Sequence, residues 1–187
     1  AIANSISRPT LVNKVIATPG TLAATRFFPQ WFSQIPTSTS IPTVAMNTTT
    51  NAFTKPKKPL TLLVYDSPAV VRQAEYLQKV LLEKLGIRVV IDRQIFKQKL
   101  AKLASGDFDL SISAWGPDYN DPMTFADLLH SSNENNHGAY SNPGYDALIA
   151  QAATIPDSPE RNQLFANMAA ILENDIAVLP LTEPGLT

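Results

Sequence analysis

The chain has 187 residues, 44% of them hydrophobic and 17% charged, with a formal net charge of −1. That length suits one ordinary domain, or an irregular domain and a half, and can bury a real core. The balanced charge gives no electrostatic reason for a nucleic-acid or anionic-membrane surface, and the lack of Cys excludes disulfides, thiolate zinc sites and cysteine nucleophiles.

No apolar run approaches the roughly 18 residues that a spanning helix needs. Ala1–Thr10 also lacks the basic start and continuous apolar segment of a signal peptide. It reads instead as helix from the first residue, with Ile2 and Ile6 four apart, so we expect a piece of something longer. Ser7, ahead of Arg8 and Pro9, caps a second helix carrying Leu11, Val12, Val15 and Ile16. Residues 20–59 hold most of the structure breakers. Nine of the nineteen residues from Pro36 to Thr54 are Thr or Ser, without a helical or alternating period. That stretch is expected to be an irregular surface connection, more mobile than the sheet-forming segment after Leu60.

From Leu60 the pattern turns regular. Leu60–Tyr65 is a short apolar run that suits a buried strand. Ser67 and Pro68 open a helix, whose face is Val70, Ala74, Leu77, Leu81 and Leu85, and Gly86 ends it. Ile87–Ile91 is the next strand, a helix with Phe96, Leu100 and Leu103 comes after it, and Phe108–Ala114 is a third strand. This β-α-β-α-β order predicts a parallel sheet with right-handed crossovers, and such sheets bind ligands beyond the carboxyl ends of their strands. A short helix through Phe125, Leu128 and Leu129 comes next, then a polar loop over Ser131–Gly138. Two further helices are Pro143–Ala153 and Ser158–Asn174, and Ala177–Leu181 is expected as a last strand.

The segment leaving the third strand, Trp115-Gly-Pro-Asp-Tyr-Asn-Asp-Pro122, is held out of regular structure by two prolines and a glycine. It presents an indole, two carboxylates, a phenol and an amide. Asp118 beside Trp115 and Tyr119 suits a clamp for a cationic group, or else a plain surface turn. Asp121 before Pro122 reads first as a helix cap. A paired-carboxylate hydrolase using Asp118 and Asp121 lacks any feature that would part their pKa values. The two histidines, His130 and His137, lie in no nucleophile motif and read as solvated imidazoles before they read as metal ligands. Neither a P-loop nor a G-x-G-x-x-G following a strand occurs.

Three blocks carry a resemblance. Ala114-Trp-Gly-Pro-Asp-Tyr-Asn-Asp-Pro122 is similar to the W-x-x-D-Y-x-D-P signature of the solute-binding proteins of oligopeptide and dipeptide ABC importers. Ala139-Tyr-Ser-Asn-Pro-Gly-Tyr-Asp146 resembles that family's Y-x-N-P-x-Y-D segment. Arg161, Leu164, Phe165, Ala169, Ile171, Leu172, Asp175, Pro180 and Leu181 resemble its closing pattern. Ala1–Arg8 is a looser match, with Ser7 where Asp is usual.

The resemblance implies an α/β, periplasmic-binding-protein-like lobe with a β-α-β-α-β core and additional C-terminal helices. Residues 1–59, helices and connection, would be part of the same lobe as residues 60–187, the ligand-binding part. The other lobe would lie outside the chain. The implied protein is no enzyme and carries no cofactor or metal. It would be a monomer outside the cytoplasmic membrane, periplasmic or lipid-anchored, that encloses a peptide and delivers it to an ABC permease. Asp118 would hold the peptide's α-ammonium group, with Trp115 and Tyr119 lining the pocket. Two departures stand out. Asp107–Ala114 offers no basic residue, where some relatives place an Arg for the peptide carboxylate, and the stretch 36–54 replaces a Lys/Leu-rich helix. Relatives that bind nickel complexes, haem or oligosaccharides, and sensor domains of transcriptional regulators, remain alternatives.

Overall fold

The computed structural model of the chain describes residues 1–37 and 54–185. The Thr/Ser-rich stretch 36–54, and the mobility expected of it, thus lie outside the described residues except at the two ends. The described residues form two compact units, one from residues 1–23, 54–114 and 181–185, the other from residues 24–37 and 115–180. This division runs through both expected segments, 1–59 and 60–187, and not between them.

The first unit opens with α1 (Ile2–Ser5) and α2 (Arg8–Thr10). Ser7 caps α2, its Oγ accepting from the Thr10 N–H at 3.3 Å. A π-helical turn over Leu11–Ile16 continues from α2 and buries Leu11 and Val12. Beyond β1 (Thr21–Ala23) and the undescribed residues, β2 (Leu60–Tyr65) runs through the middle of the unit. It leads into α3 (Pro68–Leu85), β3 (Val89–Gln94), α4 (Phe96–Ser105) and β4 (Leu110–Ser111). β2 is the central strand of a parallel sheet, with β3 on one side and β4 on the other. A central parallel strand is covered on both faces, which is why Leu62, Leu63 and Val64 are all buried. Leu62 and Val64 pack with Ala74, Leu77 and Leu81 of α3. Leu63 points to the opposite face.

α3 starts and stops where the expected signals stand. The Ser67 Oγ accepts from the Val70 N–H at 3.4 Å, and Gly86 closes the helix at φ +64°. Four elements differ from expectation. β3 starts at Val89, since Ile87 is spent closing the end of α3 through its N–H to the Leu81 carbonyl. β4 pairs at two residues only. The Ile112 N–H still reaches the Leu63 carbonyl at 3.2 Å, but its own carbonyl accepts from Lys99 Nζ at 2.6 Å. In α4 the buried residues are Lys99 and Leu103, one helical turn apart, so Phe96 and Leu100 fall on the exposed stripe beside them. The expected strand 177–181 does not form. Pro180 has no N–H to donate, and pairing begins after it, where β5 (Thr182–Pro184) runs antiparallel to β1.

The second unit is helical. α5 (Met123–Ala126) tightens into a 3-10 turn at Asp127–Leu129, and α6 (Pro143–Ala153) packs against α7 (Pro159–Asp175). Asn142 caps α6 and Ser158 caps α7, each followed by a proline in the first turn. Their core takes in Phe28 and Phe32 from the segment before the undescribed residues. Phe28 meets Phe165 edge-on at 5.5 Å, and Phe32 meets Phe125 at 6.1 Å. Arg26 holds that segment in shape by donating to the carbonyls of Pro29, Phe32 and Ile35.

Acid should unfold the protein through carboxylates that the fold supplies with donors. Lys102 and Gln94 hold Asp92 below its ordinary value of 3.8, and hydrogen bonds from Tyr140, Asn142 and Asn174 do the same for Asp175. Folded values below the unfolded ones give stability that is complete above the unfolded value and is lost as pH falls through the folded one. Thermal melting followed from about pH 7 to about pH 2 should stay level until the ordinary carboxylate range and fall below it.

Candidate functional site

The loop 115–122 is built from one buried hydroxyl outward. Thr124, at the start of α5, is 4% exposed, and its Oγ1 accepts from the Trp115 Nε1–H at 3.2 Å and from the Asp118 N–H at 3.4 Å. The indole N–H is thereby satisfied while 38% of the Trp115 surface stays open. A rigid aromatic plate of this kind makes a low-entropy contact for a ligand. Tyr119 is half-exposed. Partial burial and the carboxylates of Asp121, Asp127 and Asp118 push its phenol above the usual tyrosine value, with Arg161 working against them. The hydroxyl therefore stays protonated at neutral pH, able to donate as well as accept.

The two loop carboxylates separate cleanly. Asp121 accepts from Met123 N–H at 2.8 Å and forms a two-pronged pair with Arg161, at 2.6 Å to Nη1 and 3.0 Å to Nη2. Burial opposes its charge, but the guanidinium and the Met123 N–H more than offset that and bring the carboxyl below its usual value. Arg161 is 8% exposed. Its Nε–H goes to the Ala152 carbonyl at 2.9 Å, and its guanidinium carbon lies 4.9 Å from the Phe165 ring centre. Asp121 thus caps the turn and anchors the loop to α7. Asp118 is exposed, and its carboxylate makes no hydrogen bond or ion pair among the described residues.

The remaining motif residues hold the scaffold together. Tyr140 Oη–H donates to Asp175 at 2.6 Å and Asn142 Nδ2–H to the same oxygen at 2.9 Å. Asp146 accepts from the Ser131 N–H at 3.1 Å. Tyr145 is fully buried, and its Oη–H donates to the Ala126 carbonyl at 2.7 Å. Removing that hydroxyl in Tyr145→Phe strands a buried carbonyl, so we expect a loss of about 1–2 kcal/mol in chemical denaturation and no change in ligand affinity.

His130 and His137 are not brought together into a ligand set. His130 Nδ1 accepts from the Ser132 N–H at 3.2 Å and lies 2.9 Å from its hydroxyl. His130 also lines an open polar hollow of about 310 Å³ with Asp127, Asn133 and Glu134. Among the described residues no three His, Asp or Glu side chains are placed to hold a metal ion.

In the first unit, sequence reasoning missed an aromatic pair at the carboxyl ends of β2 and β3. Tyr65 and Phe96 meet edge-on at 6.3 Å and are 42% and 63% exposed. The spacing of Phe96, Leu100 and Leu103 reads only as one stripe of a helix. The signal that finds Phe96 is position, because it begins a helix just past the end of a parallel strand.

Residues 1–137 match the family model of the bacterial extracellular solute-binding proteins, family 5. Over 126 residues the chain is 31% identical to the periplasmic oligopeptide-binding protein OppA of Salmonella typhimurium, covering 66% of this chain and 23% of that protein. Over 97 residues it is 35% identical to the probable deoxycholate-binding periplasmic protein YgiS of Escherichia coli, covering 52% and 18%. Among solved structures, the Escherichia coli murein tripeptide binding protein MppA superposes with a TM-score of 0.85 at 28% identity, over 98% of this chain and 38% of that one. The chain therefore spans less than two-fifths of the length of these relatives, and its fold is that of periplasmic binding proteins.

Proposed function

This chain belongs to the bacterial extracellular solute-binding proteins of family 5, and we propose on that premise that it holds a peptide for delivery to an ABC permease. The observation that carries the reading is the contrast within one loop. Asp121 has its guanidinium, while Asp118 stands exposed, unpaired among the described residues and beside two aromatic rings. A peptide's α-ammonium group is the natural complement of such a carboxylate. On enclosure it loses its hydration and needs a replacement charge. Trp115 supplies an apolar face next to it, and the Tyr119 hydroxyl a donor or acceptor. The process is enclosure and release, without a covalent step, and outside the cytoplasmic membrane, as the names of the relatives support. We also take residues 1–59 and 60–187 as parts of one lobe. The likeness to MppA, which runs over 98% of the chain, supports this.

One relative favours a second reading. YgiS is named as a probable deoxycholate binder, and a bile acid offers a carboxylate and a large apolar face but no ammonium. Native mass spectrometry of the protein that carries this chain, purified without denaturation, separates the two. Co-purified masses that fragment as peptides support the first reading, and a steroid acid in their place would replace it with the second.

A further inference from the structure

We propose that Lys99 is the binding residue for a carboxylate of the ligand, an assignment that rests on the peptide reading above. Lys99 faces the sheet from α4 and is only 7% exposed. Its Nζ donates to the Ile112 carbonyl at 2.6 Å and to Ser113 Oγ at 3.3 Å. Ser113 Oγ in turn lies 3.3 Å from Ser111 Oγ. An ammonium has three N–H donors, so one is left over among the described residues. No carboxylate of the described residues lies within ion-pair distance of it.

Lys102, one turn further along the same helix, shows the ordinary arrangement, between Asp92 at 2.8 Å and Asp107 at 2.7 Å. Lys99 has no such neighbours, and burial alone lowers its pKa. Desolvating a cation against two neutral acceptors is costly, and a neutral donor would serve those acceptors as well. The charge is explained if an anion completes the site. The surroundings suit one. Lys99 Nζ and the hydroxyls of Ser111 and Ser113 form a hydrogen-bonded chain with two donors to spare, one N–H and one O–H, at the carboxyl end of β4, the end at which parallel sheets bind ligands. Ser113 is exposed there, which leaves an approach. A carboxylate taking the spare N–H and a serine O–H would be held by charge and by geometry.

The carboxylate can be the peptide's own C-terminus or an acidic side chain, and the test separates them. The protein that carries this chain is titrated with mixed tri- to pentapeptides in free-acid and C-terminal amide forms. Amide peptides containing Glu are then compared with the same peptides containing Gln. Wild type should prefer the free acids, or the Glu peptides, at least about tenfold. Lys99→Met should bring that preference to within about twofold and leave the uncharged amides unchanged, while Lys99→Arg retains part of it. Equal binding of every form by wild type overturns the assignment without any variant. So does an equal loss for acids and amides in Lys99→Met, since Lys99 would then only clamp the exit of β4. If wild type takes up no peptide in any form, the peptide reading itself fails.

Discussion

Replacing Arg161 with methionine should destabilise the helical unit by about 3–5 kcal/mol, the range for breaking a buried ion pair from one side. The Arg161 side chain keeps 10% of its exposure and that of Asp121 32%, so the remaining carboxylate would be left partly buried without its counter-charge. The Ala152 carbonyl would also lose its donor and the Phe165 ring its cation. Asp121→Asn should cost about as much, because it leaves the more buried guanidinium without its counter-charge, although its amide oxygen still accepts from the Met123 N–H. By contrast Asp118→Asn, a change at an exposed position without a partner among the described residues, should stay within about 0.5 kcal/mol of wild type. Urea unfolding measures all three, with midpoints that shift at constant slope. A loss in Asp118→Asn as large as that in Asp121→Asn would remove the division between an anchoring and a ligand-facing carboxylate.

The anchoring of Asp121 was half legible in the sequence. Ser67 and Ser158 could be read as helix caps from local chemistry alone, because a cap and its helix are neighbours in the chain, and Asp121 before Pro122 as the cap of a turn or helix, of which the structure has the turn. The partner of Asp121, Arg161, lies 40 residues away, and no local pattern announces a pairing at that distance. Thr124, which holds Trp115 and Asp118, looks like any residue in a short helix until the indole N–H is seen to reach it. Strand β2 was plain from its apolar run. β4 was overextended, because a lysine on α4 takes the carbonyl that would have continued the ladder. In α4 itself the period was right and the phase was wrong. A stripe drawn through the apolar Phe96, Leu100 and Leu103 could not anticipate that Lys99 is the residue turned inward.

Asp118→Asn should leave the fold intact and weaken peptides with a free amino terminus by about 2–5 kcal/mol. Part of that is the penalty for an ammonium enclosed without a counter-charge, since the substitution keeps the shape and some hydrogen bonding of the side chain. N-acetylated peptides have no such charge. They should bind wild type poorly and lose little more in the variant. Raising the salt concentration should change this difference only modestly, because an enclosed pair is screened far less than an exposed one.

The decisive measurement is a calorimetric cycle of two proteins against two peptides, wild type and Asp118→Asn against one sequence with a free and with an acetylated amino terminus. The coupling isolates the interaction between carboxylate and ammonium from everything else the substitution does. A coupling of about 2 kcal/mol or more is the expected result. Equal weakening of the free and acetylated peptides would make Asp118 a turn former and contradict its role as the amine clamp.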